Sequence, residues 1–373
     1  MSLRPALLRA AEVPRRQLSA WADLVSRAAE PNPFFEPDYV VPSVRHRKVP
    51  IVLLTVFEGD DMVACLPLFR HGRTLLRLPM WGVPNVLGVP HVDPACVDRA
   101  WPVALRFLAT RFDVRRMLRL HRVPADGVVG PALLAAVDRF RCPTMEPGPV
   151  SCPTLRRRRD PTYLKERLQS RTRLKLGQKR RNFESLLGHR LRLVDRGTDP
   201  SAVERFLALE AAGWKGQAGT AMLGIPGESN FFREMCGRFR DRGRLRMLSL
   251  EAGGTTVAMR CDVAAGEGLF SLKTSYDERY ARFSPGLLLE IDSVAMFHEG
   301  SAAWLSSATN YPASPTFAVY PDRRTLVDAV AILDPVTRLL LTQLVRPALQ
   351  WRRERFSNRA EKCSNPLGME SDV

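Results

Sequence analysis

Residues 268–300 read GLFSLKTSYDERYARFSPGLLLEIDSVAMFHEG, and the interpretation of the whole chain starts from this stretch. Its first part, residues 269–276, is apolar and rich in residues that favour a strand. From Ser284 onward the apolar residues recur at helical spacing, at Leu287, Leu288, Ile291, Val294 and Ala295. The stretch therefore predicts a strand, a short polar loop and a buried helix.

The start of this predicted helix is a candidate anion site. The first N–H groups of a helix lack partners inside it, and the aligned peptide dipoles make that end partly positive. Proline has no N–H, so the donors would be those of Gly286, Leu287 and Leu288, and Arg282 could add a contact to a phosphate. An ordinary core helix with Ser284 as its N-cap is the alternative, because such starts are common.

Length and composition indicate a globular protein of two domains. The chain has 373 residues, of which 45% are hydrophobic and 25% are charged, which is typical of soluble proteins and enough for two cores. No uninterrupted apolar stretch approaches the roughly 20 residues that span a bilayer. The N-terminal segment lacks the apolar core and cleavage site of a secretory signal. We therefore expect a cytoplasmic protein.

The seven cysteines predict neither a metal site nor a disulfide framework. They are scattered, odd in number and contain no CxxC pair. Structural zinc sites need clustered ligands, so no metal is expected. Because free cysteine behaves as a small hydrophobe, we expect isolated buried thiols.

The charge of the chain predicts an anionic partner. The formal net charge is +17, and residues 156–192 contain fourteen Lys or Arg against three acids. Within a predicted helix at 171–187, Arg171, Lys175 and Lys179 share one face. This face is either solvated or contacts phosphates or an acidic partner. A sequence-specific nucleic-acid module is not expected, since no stacking strand or DNA-binding motif accompanies the charge.

Turn signals and apolar spacing divide the chain into two α/β units. The first, residues 1–150, contains a predicted strand hairpin at 51–69. The proline-rich run at 142–153 is interpreted as a linker or an edge connection, and the boundary is set there. In the second unit, residues 155–330, helices precede three antiparallel strands and the helix that begins at Ser284.

That order of elements resembles the GNAT acyltransferase fold. More specifically, the chain is similar to the CelD-type acyltransferases associated with exopolysaccharide and cellulose biosynthesis, distant relatives of the Fem-type peptidoglycan aminoacyl transferases. The resemblance lies in four segments: Phe206–Glu210, Trp214–Gly216, Leu245–Ala258 and Lys273–Leu288. It implies an α/β fold of two GNAT-like units, each a mixed, mostly antiparallel sheet flanked by helices, with a degenerate N-terminal unit.

The resemblance also implies the donor and the reaction. An acyl-CoA such as acetyl-CoA would hold its pyrophosphate at the helix start, on Arg282, Ser284, Gly286, Leu287 and Leu288. An amine or hydroxyl of a sugar or another small polar acceptor would attack the thioester directly, with stabilisation of the oxyanion and loss of a proton. The chain is therefore expected to be an acyltransferase of groups other than aminoacyl.

Three residues are candidates for the chemical step, each with a structural alternative. Asp277 follows the strand that leads to the helix start, and it could instead be a turn residue that pairs with Arg279 or Arg282. Glu210 could line an acceptor pocket or be a surface carboxylate. Tyr276 could protonate the leaving thiolate or be a structural tyrosine. No Ser-His-Asp or Cys-His nucleophile set is visible.

The acceptor side is predicted around Trp214, Lys215 and Lys273. Trp214 follows Glu210 by one helical turn, which would set the two residues on one face. Lys273 could bind the acceptor or a phosphate, or be an ordinary lysine on a strand face. Many relatives have an Asp in the strand after the helix, whereas this sequence reads WLSSATNY from Trp304.

The predicted partners extend beyond a small-molecule acceptor. Residues 331–373 are expected to form a C-terminal helix and a disordered tail, and the helix either packs on the domain or docks on an anionic membrane surface or a biosynthetic complex. Two alternatives keep the fold. In one the donor is an acyl-carrier protein or an aminoacyl-tRNA, and in the other the chain is a non-catalytic scaffold in polysaccharide assembly.

Overall fold

The structure is a computed structural model that describes residues 2–73, 79–82, 87–111, 117–141, 146, 148–159, 163, 167–307 and 314–340. Within this part of the chain, thirteen strands join one continuous sheet. The strands are β1 (Leu3–Arg9), β2 (Ile51–Glu58), β3 (Asp61–Arg73), β4 (Pro79–Gly82), β5 (His91–Val92), β6 (Leu118–Pro124), β7 (Val150–Arg156), β8 (Arg192–Asp195), β9 (Leu245–Ala252), β10 (Thr255–Ala265), β11 (Gly268–Tyr276), β12 (Trp304–Ser307) and β13 (Asp322–Ala331).

The sheet consists of two halves with the same strand pattern. The N-terminal half has the order β1-β2-β3-β4-β6-β13, and the C-terminal half has the order β8-β9-β10-β11-β12-β7. In each half the first four strands are antiparallel, a crossover through a helix adds a parallel strand, and an antiparallel strand closes the set. The predicted fold class, two GNAT-like units of mixed and mostly antiparallel strands, is confirmed. The structure adds that the two sheets are joined edge to edge.

The closing strand of each half comes from the other end of the chain. β7 follows the N-terminal half in sequence but pairs with β12, and β13 follows the C-terminal half but pairs with β6. β7 and β13 also pair with each other, from Asp322 opposite Thr154 to Leu326 opposite Val150. The two units therefore exchange strands at the centre of the sheet.

Helices cover both faces of this sheet. They are α1 (Arg15–Arg27), α2 (Pro37–Arg47), α3 (Val97–Thr110), α4 (Val129–Val137), α5 (Ser170–Leu187), α6 (Ser201–Ala212), α7 (Trp214–Gln217), α8 (Glu228–Asp241), α9 (Pro285–Glu299), α10 (Pro315–Val319) and α11 (Pro335–Leu340). In the described ranges, none of the helices is both long and apolar enough to cross a bilayer.

Side-chain alternation along β10 shows how the C-terminal half is layered. Met259, Cys261 and Val263 are buried in the core formed with α6 and α8. Arg260 and Asp262 point to the opposite face, where α9 and α10 pack. The strand is therefore buried on both sides, and one side is charged.

The charged side of β10 is a buried network that the sequence did not reveal. Arg260 donates to Asp262, to Glu290 Oε2 at 2.7 Å and to Ser293 Oγ at 2.7 Å. The Tyr320 hydroxyl donates to Glu290 Oε2 at 3.0 Å, and all five side chains are almost completely buried. Burial is the main cause that raises the pKa of Glu290, although the charge of Arg260 opposes it. The network joins β10 to α9 and α10.

Two expectations were wrong in their details. Residues 150–153, the end of the run interpreted as a linker or edge connection, belong to β7, a central strand. The five described cysteines are buried as expected, yet Cys236 and Cys261 are not isolated, because their sulfur atoms lie 4.0 Å apart. Most of the predicted C-terminal helix and tail, residues 341–373, lies outside the described residues.

The contacts of Asp328 on β13 predict how the stability of the fold depends on pH. Its carboxylate accepts from His121 Nδ1 at 2.8 Å and from the Arg122 N–H at 2.9 Å, which ties β13 to β6. Burial raises the pKa of Asp328, but these hydrogen bonds and Arg119 outweigh burial and lower it to about 2. A depressed carboxylate pKa stabilises the fold above the unfolded-state pKa, and that contribution is lost as the pH falls through the folded-state value.

We therefore expect wild-type protein to lose about 2 kcal/mol of unfolding free energy, specific to Asp328, between pH ~4 and pH ~2. Asp328→Asn should lack this loss and be less stable at pH 7. Urea unfolding across this pH range measures both effects. Asp60→Asn, an exposed acid paired with Arg16, is the control and should keep the wild-type slope. Equal slopes for wild type and Asp328→Asn would contradict the assignment.

Candidate active site

The start of α9 differs from an ordinary capped helix. Ser284 occupies the N-cap position with a left-handed backbone, φ 58°, and its side chain does not cap the helix. Its Oγ instead accepts a hydrogen bond from Lys179 Nζ at 2.8 Å. The N–H groups of Leu287 and Leu288 both donate to the Ser284 carbonyl, at 3.0 and 3.1 Å. Of the three predicted backbone donors, two are thus occupied, and Gly286 has no partner among the described residues.

α5 lies beside this helix start because of aromatic packing. Phe183 stacks on Phe283 with ring centroids 4.7 Å apart, and it contacts Tyr280 at 5.0 Å. One turn earlier on α5, Lys179 reaches Ser284. The same packing therefore aligns a set of cations with the start of α9.

We call Arg171, Lys175 and Lys179 the basic ridge. They repeat every four residues along α5, so the ridge spans about 12 Å at a rise of ~1.5 Å per residue. Arg171 and Lys175 are exposed, whereas Lys179 is half-buried at the contact with Ser284. The ridge thus leads from solvent to the helix start.

Gly286 leaves open space beside Tyr276. A Cβ atom at Gly286 would lie 3.5 Å from Tyr276 Cδ1, an ordinary contact, so alanine fits there and a larger side chain would fill the space. Arg282 is exposed, and its guanidinium lies 4.7 Å from the centre of the Phe283 ring. The five residues predicted to bind the donor therefore lie together around the start of α9.

Glu210 is a buried carboxylate held by two lysines. Its Oε1 accepts from Lys273 Nζ at 2.7 Å and from Lys215 Nζ at 3.1 Å, and its Oε2 accepts from the Met222 N–H at 2.9 Å. Burial disfavours its charge, but the hydrogen bonds from Lys273 and Met222 prevail and lower its pKa. Glu210 is therefore ionised, and it anchors Lys273 and Lys215.

The helix that carries Glu210 ends earlier than predicted. α6 stops at Ala212, Gly213 is extended, and Trp214 begins the separate short helix α7. Glu210 and Trp214 are therefore not successive turns of one helix, although both line the same cleft. Trp214 is 55% exposed, whereas Glu210 is 2% exposed.

This cleft, which we call the acceptor cleft after the residues predicted to bind the acceptor, has a volume of about 30 Å³. Its lining is mostly polar and consists of Glu210, Gly213, Trp214, Lys215, Thr274, Ser275, Tyr276 and Glu278. Glu278 accepts from the Trp214 N–H at 2.6 Å, and a Cβ at Gly213 would come within 2.9 Å of the same Glu278 oxygen. Sequence reasoning missed Glu278, although it directly follows Asp277.

Asp277 is engaged by its neighbour. Both of its carboxylate oxygens accept from the Arg279 side chain, and Oδ1 also accepts from the Arg279 N–H at 3.1 Å. Hydrogen bonding to Arg279 is the main cause that lowers the pKa of Asp277. Asp277 thereby fixes the 3₁₀ turn 278–283 that leads to α9.

Strand pairing explains why the predicted residues fall into two groups. Lys273 is opposite Cys261 in β10 and points towards α6, while Tyr276 is opposite Ala258 and packs with Leu288 of α9. The donor group and the acceptor group therefore lie on opposite faces of the sheet. Tyr276 belongs to both, since it also lines the acceptor cleft.

Comparison with known proteins supports the fold and the class of activity. Residues 170–305 match the family described as "Acetyltransferase (GNAT) domain". The matched segment extends from α5 into β12. The sequence matches none of the curated proteins with which it was compared.

Solved structures match most of the length of the chain at low sequence identity. FemX is 9% identical with a TM-score of 0.57, covering 91% of this chain and 100% of its own. The C-terminal domain of a putative lysylphosphatidylglycerol synthetase from Agrobacterium fabrum is 11% identical with a TM-score of 0.53, covering 87% and 95%. L-PGS from Bacillus licheniformis is 12% identical with a TM-score of 0.52, covering 89% and 96%. These similarities concern the fold.

Glu210 provides a stability test of the acceptor cleft. We expect Glu210→Gln to destabilise the protein by about 1.5–3 kcal/mol, because it leaves Lys273 and Lys215 without their charged hydrogen-bond partner. Glu204→Gln is the matched control, since Glu204 lies on the same helix in an exposed pair with Arg233, and it should cost about 0–1 kcal/mol. Urea unfolding compares the two variants, and equal losses would count against the anchoring role of Glu210.

Proposed function

We propose that the protein is an acyltransferase that takes its acyl group from an acyl-CoA bound at the start of α9. The observation that carries the proposal is the contact between Lys179 and Ser284, which aligns the basic ridge with that helix start. The GNAT match over residues 170–305 supports it, because the matched segment begins with α5 and includes α9.

The donor would bind through its phosphates. The Gly286 N–H and the positive end of α9 favour a phosphate at the helix start, and Lys179 adds a cation there. Further phosphates of CoA would meet Lys175 and Arg282, which are both exposed. The ionic contacts account for affinity, and the small side chain of Gly286 allows close approach.

The acceptor would enter from the other face of the sheet. The acceptor cleft is small and polar, which suits an amine or hydroxyl of a sugar or another small polar molecule. Lys273 and Lys215, oriented by Glu210, would contact its polar groups. Trp214 would supply an apolar wall, because more than half of its surface is exposed.

The chemical step would be direct transfer at the end of β11. The acceptor nitrogen or oxygen attacks the thioester carbonyl carbon, the C–S bond breaks, and the thiolate leaves. We assign Glu278 rather than Asp277 as the base that accepts the proton of the acceptor, because the Arg279 side chain donates to both Asp277 oxygens. Tyr276 would return a proton to the thiolate, since it lies between Gly286 and the acceptor cleft.

Calorimetric titration with CoA tests the donor site. We expect Lys179→Ala to weaken CoA binding about tenfold or more, because a charged hydrogen bond to phosphate contributes about 1.5–3 kcal/mol. Gly286→Leu should abolish binding without lowering the melting temperature, since its side chain fills the space before Tyr276. Arg181→Ala is the matched control, an exposed cation on the other flank of α5. Wild-type protein with no affinity for CoA would contradict the proposal.

A second candidate is aminoacyl transfer on the same site. A structural neighbour is named a putative lysylphosphatidylglycerol synthetase, and the basic ridge extends about 12 Å from the helix start towards solvent. Both observations favour a larger anionic donor such as an aminoacyl-tRNA. Transfer of an aminoacyl group is therefore a candidate beside the predicted transfer of other acyl groups.

Anisotropy titration of labelled tRNA at increasing salt separates the two candidates. If the donor is an aminoacyl-tRNA, affinity should fall steeply with salt and should drop at least tenfold when Arg171, Lys175 and Lys179 are all replaced by Ala. In that case CoA alone should show no affinity for the wild-type protein. Retained tRNA affinity in the triple variant would contradict this candidate.

A further inference from the structure

A cleft larger than the acceptor cleft lies away from it, over the exchanged strands. It has a volume of about 500 Å³, well within the range of small-ligand sites. Its walls come from β7, β12 and β13 and from the segments around Glu30 and Asp126. We call it the central cleft. None of the residues predicted from the sequence to bind donor or acceptor lines it.

Four arginines line the central cleft, and their own contacts leave positive charge uncompensated. Arg324 is paired with Glu30 at 3.1 Å and with Asp126 at 2.7 Å, so it is neutralised. Arg157 and Arg323 donate to backbone carbonyls at the ends of α9 and α10 rather than to carboxylates. These two arginines satisfy their hydrogen bonds but retain their charge.

Arg156 is the fourth arginine and the most available one. It is exposed at the end of β7, and within the described residues its guanidinium has no hydrogen-bond or ion-pair partner. Its backbone N–H donates to Asp322 at 3.0 Å, and that carboxylate also binds Arg158. Asp322 is therefore already engaged, and it leaves the Arg156 side chain free to bind a ligand.

The electrostatic surroundings agree with an anion requirement. Burial and the neighbouring Arg167 lower the pKa of Arg323, although Asp322 opposes them. Cations that disfavour one another's charge gain free energy when an anion binds among them.

Trp304 gives the central cleft an apolar wall. Its ring packs against Gly268, where a Cβ would come within 2.3 Å of a ring carbon, and it meets Phe270 edge to face at 4.9 Å. These contacts fix the ring while part of it stays exposed to the cleft. A fixed aromatic surface beside cations suits a ligand that has a ring as well as an anionic group.

We propose that the central cleft binds a small phosphorylated molecule with a sugar ring, whose phosphate is held by Arg156 and whose ring lies against Trp304, the residue opposite Arg156 in the pairing of β7 with β12. Guanidinium groups bind phosphate through paired N–H donors, which makes arginine the suitable residue at this position. The site is separate from the proposed donor and acceptor positions, so its existence does not depend on the acyl-transfer proposal.

Calorimetry with glucose 1-phosphate and with glucose tests the proposal. We expect wild-type protein to bind glucose 1-phosphate and to bind glucose at least tenfold more weakly. Arg156→Ala should weaken binding of glucose 1-phosphate at least tenfold, while Arg156→Lys should keep part of the affinity because it keeps the charge. Trp304→Leu should weaken binding of glucose 1-phosphate more than binding of inorganic phosphate.

Two controls make the result specific. Arg192→Ala removes an exposed arginine from β8 at the far edge of the sheet and should bind as wild type does. Lys179→Ala should also retain wild-type binding, and a loss there would mean that the probe occupies the proposed donor site instead. No binding of glucose 1-phosphate by wild type, equal binding of glucose, or unchanged binding in Arg156→Ala would each overturn the proposal.

Discussion

The pairing of β7 with β13 is the interaction on which the rest of the structure depends. Each strand belongs in sequence to one half and in hydrogen bonding to the other. Neither half can complete its sheet alone, because its last strand is supplied across the seam. The same exchange creates the central cleft, since β7 and β13 both contribute residues to its lining. Side chains at the seam, such as Asp328 against His121, secure the exchanged strands.

The end of β11 is the second constraint, because its side chains point to both faces of the sheet. Alternation directs Lys273 to α6 and Tyr276 to α9. A thioester held on one face and an acceptor held on the other would therefore meet at the strand end. The buried network of Arg260, Asp262 and Glu290 lies close to this region and joins β10 to α9. Buried ions give little net stability, so we infer that their value lies in fixing α9 relative to the strand.

Local patterns in the sequence predicted the C-terminal half well. The strands at 245–276 and the helix that begins at Pro285 follow from turn chemistry and apolar period, and both are present. β7 was missed because its sequence, VSCPTLR, contains a proline and follows a proline-rich run, while its pairing partners are distant in the chain. Long-range pairing overrides local propensity at such a position.

The sequence could predict the candidate site only where its residues are neighbours in the chain. The residues predicted to bind the donor cluster because one loop and one helix turn carry them all. Glu278 was not assigned a role, and Lys179 was grouped only with the basic face of α5, because only the fold brings Glu278 to the Trp214 N–H and Lys179 to Ser284. The sequence showed that α5 is rich in cations, but it did not show which of them reaches the start of α9.

The internal repeat explains why only one half is suited to an anionic donor. α3 connects the parallel strands β4 and β6, as α9 connects β11 and β12. At the start of the α3 segment, however, Asp93 accepts from the Ala95 N–H at 2.9 Å and pairs with Arg27. Asp93 is the N-cap of the 3₁₀ turn Pro94–Cys96 that leads into α3, so a carboxylate paired with Arg27 lies one turn before that helix. At α9 the N-cap itself is the uncharged Ser284, and the nearby charge is the cation Lys179. The two halves share a fold, but the charges that precede their crossover helices differ.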